Sequence, residues 1–339
     1  MTTVNSVSFG KISTGPGYVV GVDAGGSKVA AGLISHAGQV VFAIQHPMDT
    51  RGAEASLACI AGAVEAVIAG SDVERSAIRG VGFGIPGIVD AERGIGVASA
   101  NLGWRDVPVR QRMNELLGLP CEIEEDVRTA ALGEARLGAG RGLDSLFFLV
   151  IGTGIAGALI LNGKLLKGAA NIAGEIGHAM LVADGPRCKC GGRGCFEALA
   201  AGPAIAARAR GKLEKGTPSL LLNQCGGDVA SITAKMVFET AGQGDPLALE
   251  TVEETCEYVA FALQFIALDV NPQVIILAGG VSRAGRQFME PVLRRLERQA
   301  AESVVFSQTF HPEMVRLSAL GDQVGVLGAA TLVPGFLEY

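Results

Sequence analysis

Short apolar runs, most of them closed by glycine, proline or a charged residue, alternate along the chain with longer segments whose apolar positions return at helical spacing. The short runs predict strands at 18–22, 29–34, 40–44, 80–85, 121–125, 274–278 and 314–317. The longer segments predict helices at 53–69, 127–137 and 288–300. Another helix opens on Asp245-Pro246, an N-cap followed by proline at the first helical position, and runs to about Asp269. GDQVGVLGAA (321–330) opens a last one. The stretch 211–227 is irregular and reads as a surface loop. Strand and helix in alternation predict an α/β fold with largely buried sheets.

One plan occurs twice. VDAGGSKVAAGLISHAGQVV (22–41) reads strand, glycine turn, strand, tight turn, strand, and IGTGIAGALILNGKLL (151–166) repeats it. Two copies of one supersecondary plan predict two similar lobes, each offering a glycine turn to a cleft between them. Coincidence of two glycine-rich hairpins is the alternative. The uncharged segment Ser145–Gly163 is long enough for a membrane span. Its glycines and the Asn162-Gly163 turn divide it instead into two buried strands.

Composition narrows the classes. A chain of 339 residues predicts about two domains. Its 48 glycines are twice the usual share of about 7%. Without a G-x-y period they exclude collagen and point to tight turns and close backbone approach, often to phosphate. Lys and Arg total 28 against 34 Asp and Glu, so no basic surplus recommends nucleic acid as a partner. Apolar residues at 49% exclude a disordered chain. Residues 1–17 hold one lysine and no long apolar run, which is not a signal peptide. The expectation is a cytoplasmic protein with no membrane partner. Seven unevenly spaced cysteines do not form a disulfide framework.

Five groups of residues carry candidate chemistry. In Asp23-Ala24-Gly25-Gly26-Ser27-Lys28, glycines after a strand let backbone N–H groups approach an anion, with Ser27 and Lys28 adding a hydroxyl and a charge. Asp23 could hold Mg²⁺ through water. Gly152-Thr153-Gly154 is the equivalent turn of the second copy. Gly279-Gly280, after a buried strand, could let a flat ring lie on the backbone. An ordinary tight turn explains each of these glycine pairs equally well. Glu124-Glu125-Asp126 ends a strand, where a carboxylate is well placed as a general base, though charge at a helix N-terminus is the plainer account. Finally, His178, Cys188, Cys190 and Cys195 make a Cys3His set, a structural zinc donor set that leaves no water position. Glu175 and Glu197 bracket that knot, which would fix both carboxylates toward one place.

Together these segments resemble the ROK family (repressors, open reading frames, kinases) of sugar kinases and sugar-responsive regulators. The resemblance rests on DAGGSK (23–28), FGIPGIVD (83–90), NLGW (101–104), ED (125–126) with AALGEA (130–135), and IGTGIAGA (151–158). It continues through GEIGH (174–178), CKCGGRGCFE (188–197), ILAGGVS (276–282) and LGAA (327–330). It implies an actin-like / RNase H-like duplicated two-lobed fold with a nucleotide cleft between lobes. The lobes would be 18–125, closed by the C-terminal helix 321–333, and 126–320 with the zinc knot at 178–195.

The resemblance further implies ATP, with its phosphates at Asp23, Gly25, Gly26, Ser27 and Lys28 and at Gly152, Thr153 and Gly154, and its adenosine near Gly279 and Gly280. The sugar would be held by Asn101, Glu125, Asp126, Glu175, His178 and Glu197, with Asp126 as the catalytic base and His178 shared between zinc and sugar. The implied reaction is ATP-dependent phosphorylation of the 6-hydroxyl of a hexose, glucose first, in a homodimer or homotetramer. An N-acetylglucosamine or N-acetylmannosamine kinase is the alternative. A sugar-responsive regulator is the second class, disfavoured by the retained Asp126 and by the roughly 17 residues ahead of the first core strand, too few for a DNA-binding module. One position departs from the family pattern: Glu125 stands where its kinases usually have Asn. Its side chain either faces the sugar or turns away to a cation such as Arg128.

Overall fold

The computed structural model describes residues 7–8 and 17–336. The segment read as lacking a signal peptide therefore lies almost wholly outside the described residues. In chain order the elements begin with β1 (Val7–Ser8), β2 (Tyr18–Ala24), β3 (Lys28–Ser35), β4 (Val40–Pro47), α1 (Ala53–Ala69) and β5 (Ile78–Ile85). Next come β6 (Ile88–Asp90), β7 (Ile95–Ser99), β8 (Trp104–Val107), α2 (Val109–Leu117), β9 (Cys121–Glu125) and α3 (Asp126–Leu137). They continue with β10 (Leu146–Ile151), β11 (Ile155–Leu161), β12 (Lys164–Leu166), α4 (Phe196–Ala200), α5 (Gly202–Glu214), α6 (Leu221–Gln224), α7 (Ala234–Ala241) and α8 (Pro246–Asp269). The last are β13 (Val274–Ala278), α9 (Arg286–Glu302), α10 (Val304–Thr309), β14 (Val315–Leu317) and α11 (Val324–Ala330).

Two sheets share one topology. The first is ordered β1-β4-β3-β2-β5-β9 and the second β12-β11-β10-β13-β14. Apart from β1, each is an antiparallel three-strand meander followed by two strands added in parallel. The repeated sequence plan supplies the meander in both. Asn162 and Gly163 carry the positive φ angles, 52° and 69°, that a two-residue hairpin turn needs.

The chain divides into two compact units, one of residues up to Gly142 with Lys164–Ala173 and Ser318–Tyr339, the other of Leu143–Gly163 and Gly174–Leu317. This division places α3 in the first unit, whereas a boundary at 125/126 places it in the second. The reason is glycine packing. Gly133 of α3 lies on the backbone of Gly328 in α11, and a Cβ on it would come 2.9 Å from the Gly328 Cα. α11 in turn lies on the sheet over Gly32, Gly21 and Gly82, which sit side by side on β3, β2 and β5. Side chains at Gly21 or Gly82 would strike the Val326 or Ala329 carbonyl.

The first unit's core gathers Val20, Val22, Leu33 and Phe83 under Leu57, Ile60 and Val64 of α1. The second packs Leu149, Ile275 and Leu277 against Ile205, Val259 and Phe288. Asp245 caps α8 by accepting the Ala248 N–H at 2.9 Å, as the Asp-Pro pair predicts. The stretch 211–227 differs from expectation. α5 runs on through Glu214 and α6 lies inside it, because Leu213 continues the buried face of Ile205 and Ala209 across a charged interval. All seven cysteines are free. Among the described residues no helix is long and apolar enough to cross a membrane.

Candidate active site

The first unit brings three acids to one sheet edge. Asp23 pairs with Gly84 on β5, and Gly84 with Glu124 on β9, so the carboxyl ends of three neighbouring parallel strands align. Burial and the neighbouring Asp126 carboxylate push Asp23 up to about 6, Lys28 offsetting part of the rise. Asp126 opens α3, and its Oδ1 accepts the Val127 N–H at 2.8 Å, which fixes the rotation of the carboxylate. Asn101, in the turn between β7 and β8, lies against Gly26, where an added Cβ would come 2.7 Å from the Asn101 Cβ. Lys28 reaches Gln45 Oε1 at 3.3 Å on the adjacent strand.

The run Glu124-Glu125-Asp126 splits into different roles. Glu124, 2% exposed, pairs with Lys167 Nζ at 2.8 Å and Arg128 Nη1 at 3.4 Å. Arg128 is equally buried and also donates to the Asn171 carbonyl at 2.8 Å. Glu125 turns back on the helix it precedes. Its Oε2 accepts the Arg128 N–H at 2.8 Å and lies 4.0 Å from Arg128 Nε. Of the two poses open to Glu125, this is the one directed to Arg128. Burial first, then the Asp126 charge and a hydrogen bond shared with it, hold Glu125 well above the usual carboxylate range. Glu125 therefore holds its proton more tightly than an ordinary carboxylate, which disfavours a second negative charge beside Asp126.

The second unit carries the Cys3His set and the remaining glycine turns. The ligand atoms of His178, Cys188, Cys190 and Cys195 all lie within 4.8 Å of one another. Cys190 Sγ and Cys195 Sγ are 3.7 Å apart, and Cys188 Sγ is 3.7 Å from His178 Nδ1. A tetrahedral ion with Zn–S arms of about 2.3 Å requires S···S edges of about 3.8 Å. A disulfide would need about 2.05 Å. The donors therefore fit one tetrahedral thiophilic ion. With Nδ1 toward the thiols, His178 Nε2 faces Glu175 at 3.8 Å. Glu197 lies on the other side of the knot, its Oε1 4.0 Å from Cys188 Sγ.

Gly152-Thr153-Gly154 joins β10 to β11. Its Gly152 and Thr153, together with Gly280 and Val281 after β13, line a cavity of about 580 Å³, the size of an ordinary small-ligand site. Gly152, Thr153 and Gly280 meet in this cavity. Its other wall is formed by the start of α5 (Gly202, Pro203, Ala206, Arg210) and by Ile232–Lys235. Sequence reasoning missed that wall, and it missed the Arg128–Glu124–Lys167 network. Only Gly202-Pro203, a helix-opening pair, carried any signal.

Comparison with known proteins agrees with the geometry. The family model described as ROK family matches residues 19–335. A glucokinase of Halalkalibacterium halodurans is 34% identical over 319 residues, 93% of this chain and 94% of that one. A glucokinase of Thermotoga maritima is 34% identical over 317 residues, 93% and 96% of the two chains. Among solved structures, a ROK family glucokinase from Streptomyces griseus in complex with glucose and AMPPNP superposes with a TM-score of 0.80 at 32% identity, covering 94% of this chain and 99% of that one.

Proposed function

The chain belongs to the ROK family, and from that premise we propose that it is an ATP-dependent glucokinase, transferring the γ-phosphoryl group of ATP to the 6-hydroxyl of glucose. Asp126 carries the reading. Its oriented carboxylate, at the carboxyl end of a parallel strand, is the group suited to take the hydroxyl proton as the sugar oxygen attacks phosphorus and ADP leaves. The raised proton affinity of Glu125 beside it disfavours a second anion next to the hydroxyl. Asn101, Glu125, Glu175, His178 and Glu197 would complete the sugar-binding set in this proposal.

The N–H groups of the Gly25–Lys28 and Gly152–Gly154 turns would receive the phosphates, and the 580 Å³ cavity beside Gly280 the adenosine. Asp23, whose proton affinity is raised by desolvation and by the Asp126 charge, suits a hydrated Mg²⁺, which would supply charge neutralisation at the phosphates. The Cys3His set would hold one Zn²⁺ with a structural role, since four protein donors complete its tetrahedron. A cytoplasmic homodimer or homotetramer completes the reading. It is supported by Phe261, Phe265 and Leu268, exposed at helical spacing along α8.

A coupled ADP-release assay across hexoses and N-acetylhexosamines tests the proposal. Glucose is expected to give the highest kcat/KM. Release with N-acetylmannosamine or N-acetylglucosamine alone would move the substrate, and no sugar-dependent release at all would overturn the kinase reading.

A further inference from the structure

The zinc-type knot and the Gly152–Gly154 turn are joined by a side chain that no motif singles out for that purpose. Glu197 Oε2 accepts the Ile155 N–H at 3.0 Å, at the residue where the turn enters β11. Ile151, which faces Ile155 across the hairpin, gives its carbonyl to the Val281 N–H at 3.0 Å. The mouth of the hairpin is thus held from outside, by Glu197 on one strand and by the turn after β13 on the other. A second strut follows along the chain: α4 leads from Glu197 to Gly202, whose N–H donates to the Gly152 carbonyl at 2.8 Å.

Both struts start at the knot. Cys195 immediately precedes α4, and the Phe196 N–H donates to the Ala179 carbonyl, one residue after His178, at 2.9 Å. Phe196 is fully buried, so the start of α4 cannot swing. Gly154 is matched to the arrangement. A Cβ there would lie 2.7 Å from Glu197 Oε2.

We propose that Glu197 is a positioning residue for the nucleotide: besides facing the sugar, it transmits the rigidity of the Cys3His knot to the phosphate-receiving Gly152–Gly154 turn. The proposal rests on the kinase reading of that turn. A carboxylate on a backbone N–H is a charge-assisted bond, and losing it leaves Ile155 without its acceptor. The turn then loses one of its outside supports before any nucleotide arrives.

The test is AMPPNP affinity measured by calorimetry with Mg²⁺ and without sugar, alongside glucose affinity and zinc content, on the full chain. Glu197→Ala should bind AMPPNP about tenfold more weakly than wild type while keeping about one zinc. Glu197→Gln still offers Ile155 an amide oxygen, so it should keep AMPPNP affinity within about twofold while its glucose affinity falls. Gly154→Ala should weaken AMPPNP like Glu197→Ala, and the two changes combined should cost no more than one alone. If Glu197→Ala fails to fold or loses zinc, Glu197→Gln and Gly154→Ala still decide. Gly154→Ala with wild-type AMPPNP affinity, or additive losses in the double variant, would overturn the proposal. So would a folded Glu197→Ala that binds AMPPNP normally. Each of these results leaves the kinase reading intact, whereas a wild type that binds no nucleotide overturns that reading itself.

Discussion

Asp23→Asn should make the protein more stable and less active, and the gain in stability should depend on pH. The Asp23 carboxylate is wedged against the first turn of α11, where a Cβ on Gly325 would come 2.6 Å from its Oδ2. Burial and the Asp126 charge raise its pKa from 3.8 to about 6. Below pH 3.8 both folded and unfolded chains hold the proton, and Asp23 costs nothing. Between 3.8 and about 6 the unfolded chain releases a proton that the folded chain keeps, so stability falls as pH rises. A rise of about two units corresponds to about 3 kcal/mol, fully expressed above pH 7. Asn has no proton to release. Relative to its own offset at pH 4, the variant should gain about 3 kcal/mol by pH 7.5, or about 6–12 °C in Tm for a domain of this size. Urea or thermal melts at pH 4, 5, 6 and 7.5 read this directly. Mg²⁺ with AMPPNP should narrow the gap, because the ion supports only the wild type. An offset that does not change between pH 4 and 7.5, or a variant losing ground as pH rises, would refute the electrostatic reasoning.

Other expected outcomes follow from the same groups. Asp126→Asn should lower kcat at least about 10²-fold with glucose binding retained by calorimetry, and near-normal turnover would remove it as the base. Cys190→Ser should lose the metal and sugar phosphorylation together, checked by elemental analysis of a protein expected to hold about one zinc per chain. Glu125→Gln should leave kcat near pH 7 within about threefold, because its amide oxygen can still accept the Arg128 N–H that caps α3. It should also remove any limb of the pH–rate profile caused by ionisation of Glu125, whose carboxyl is held above the usual range, so an unchanged profile would count against that ionisation bearing on the rate.

The elements that were legible are those whose pattern is complete in a short window. The bounds of α1, β9 and β13 coincide with the apolar runs that predict them. β6, β7 and β8 were not legible, because three to five residues with little alternation leave no period to read. The glycines were legible as a need for close approach but not as to what approaches. Gly25, Gly26 and Gly152–Gly154 stand in the turns that such glycines suggest. Gly21, Gly32 and Gly82 instead form a row under α11. That row exists only once the register of three strands is set and a helix from the far end of the chain has docked, and neither is a local property.

The acidic run shows where local reading stops. Three adjacent carboxylates repel, so at least one is expected to meet a cation or a substrate hydroxyl, and Glu124 meets Arg128 and Lys167. The pleat decides which one, because successive side chains of a strand point to opposite faces. Glu125 is thereby sent to the first turn of α3, and Glu124 to Arg128 and Lys167. Its partners, however, are four and 43 positions along the chain, at Arg128 and Lys167. With Glu124 paired inside, the charge at the strand end is that of Asp126, beside a Glu125 whose proton is held more tightly than usual. A substitution of Arg128 or Lys167 should therefore reach the catalytic edge indirectly, by leaving Glu124 buried and short of a partner. The family departure at Glu125 is tolerable on the same account: its carboxyl caps α3, and its ionisation next to the base is disfavoured. Its acid form presents an O–H donor and a carbonyl acceptor, as the usual Asn presents an N–H donor and a carbonyl acceptor.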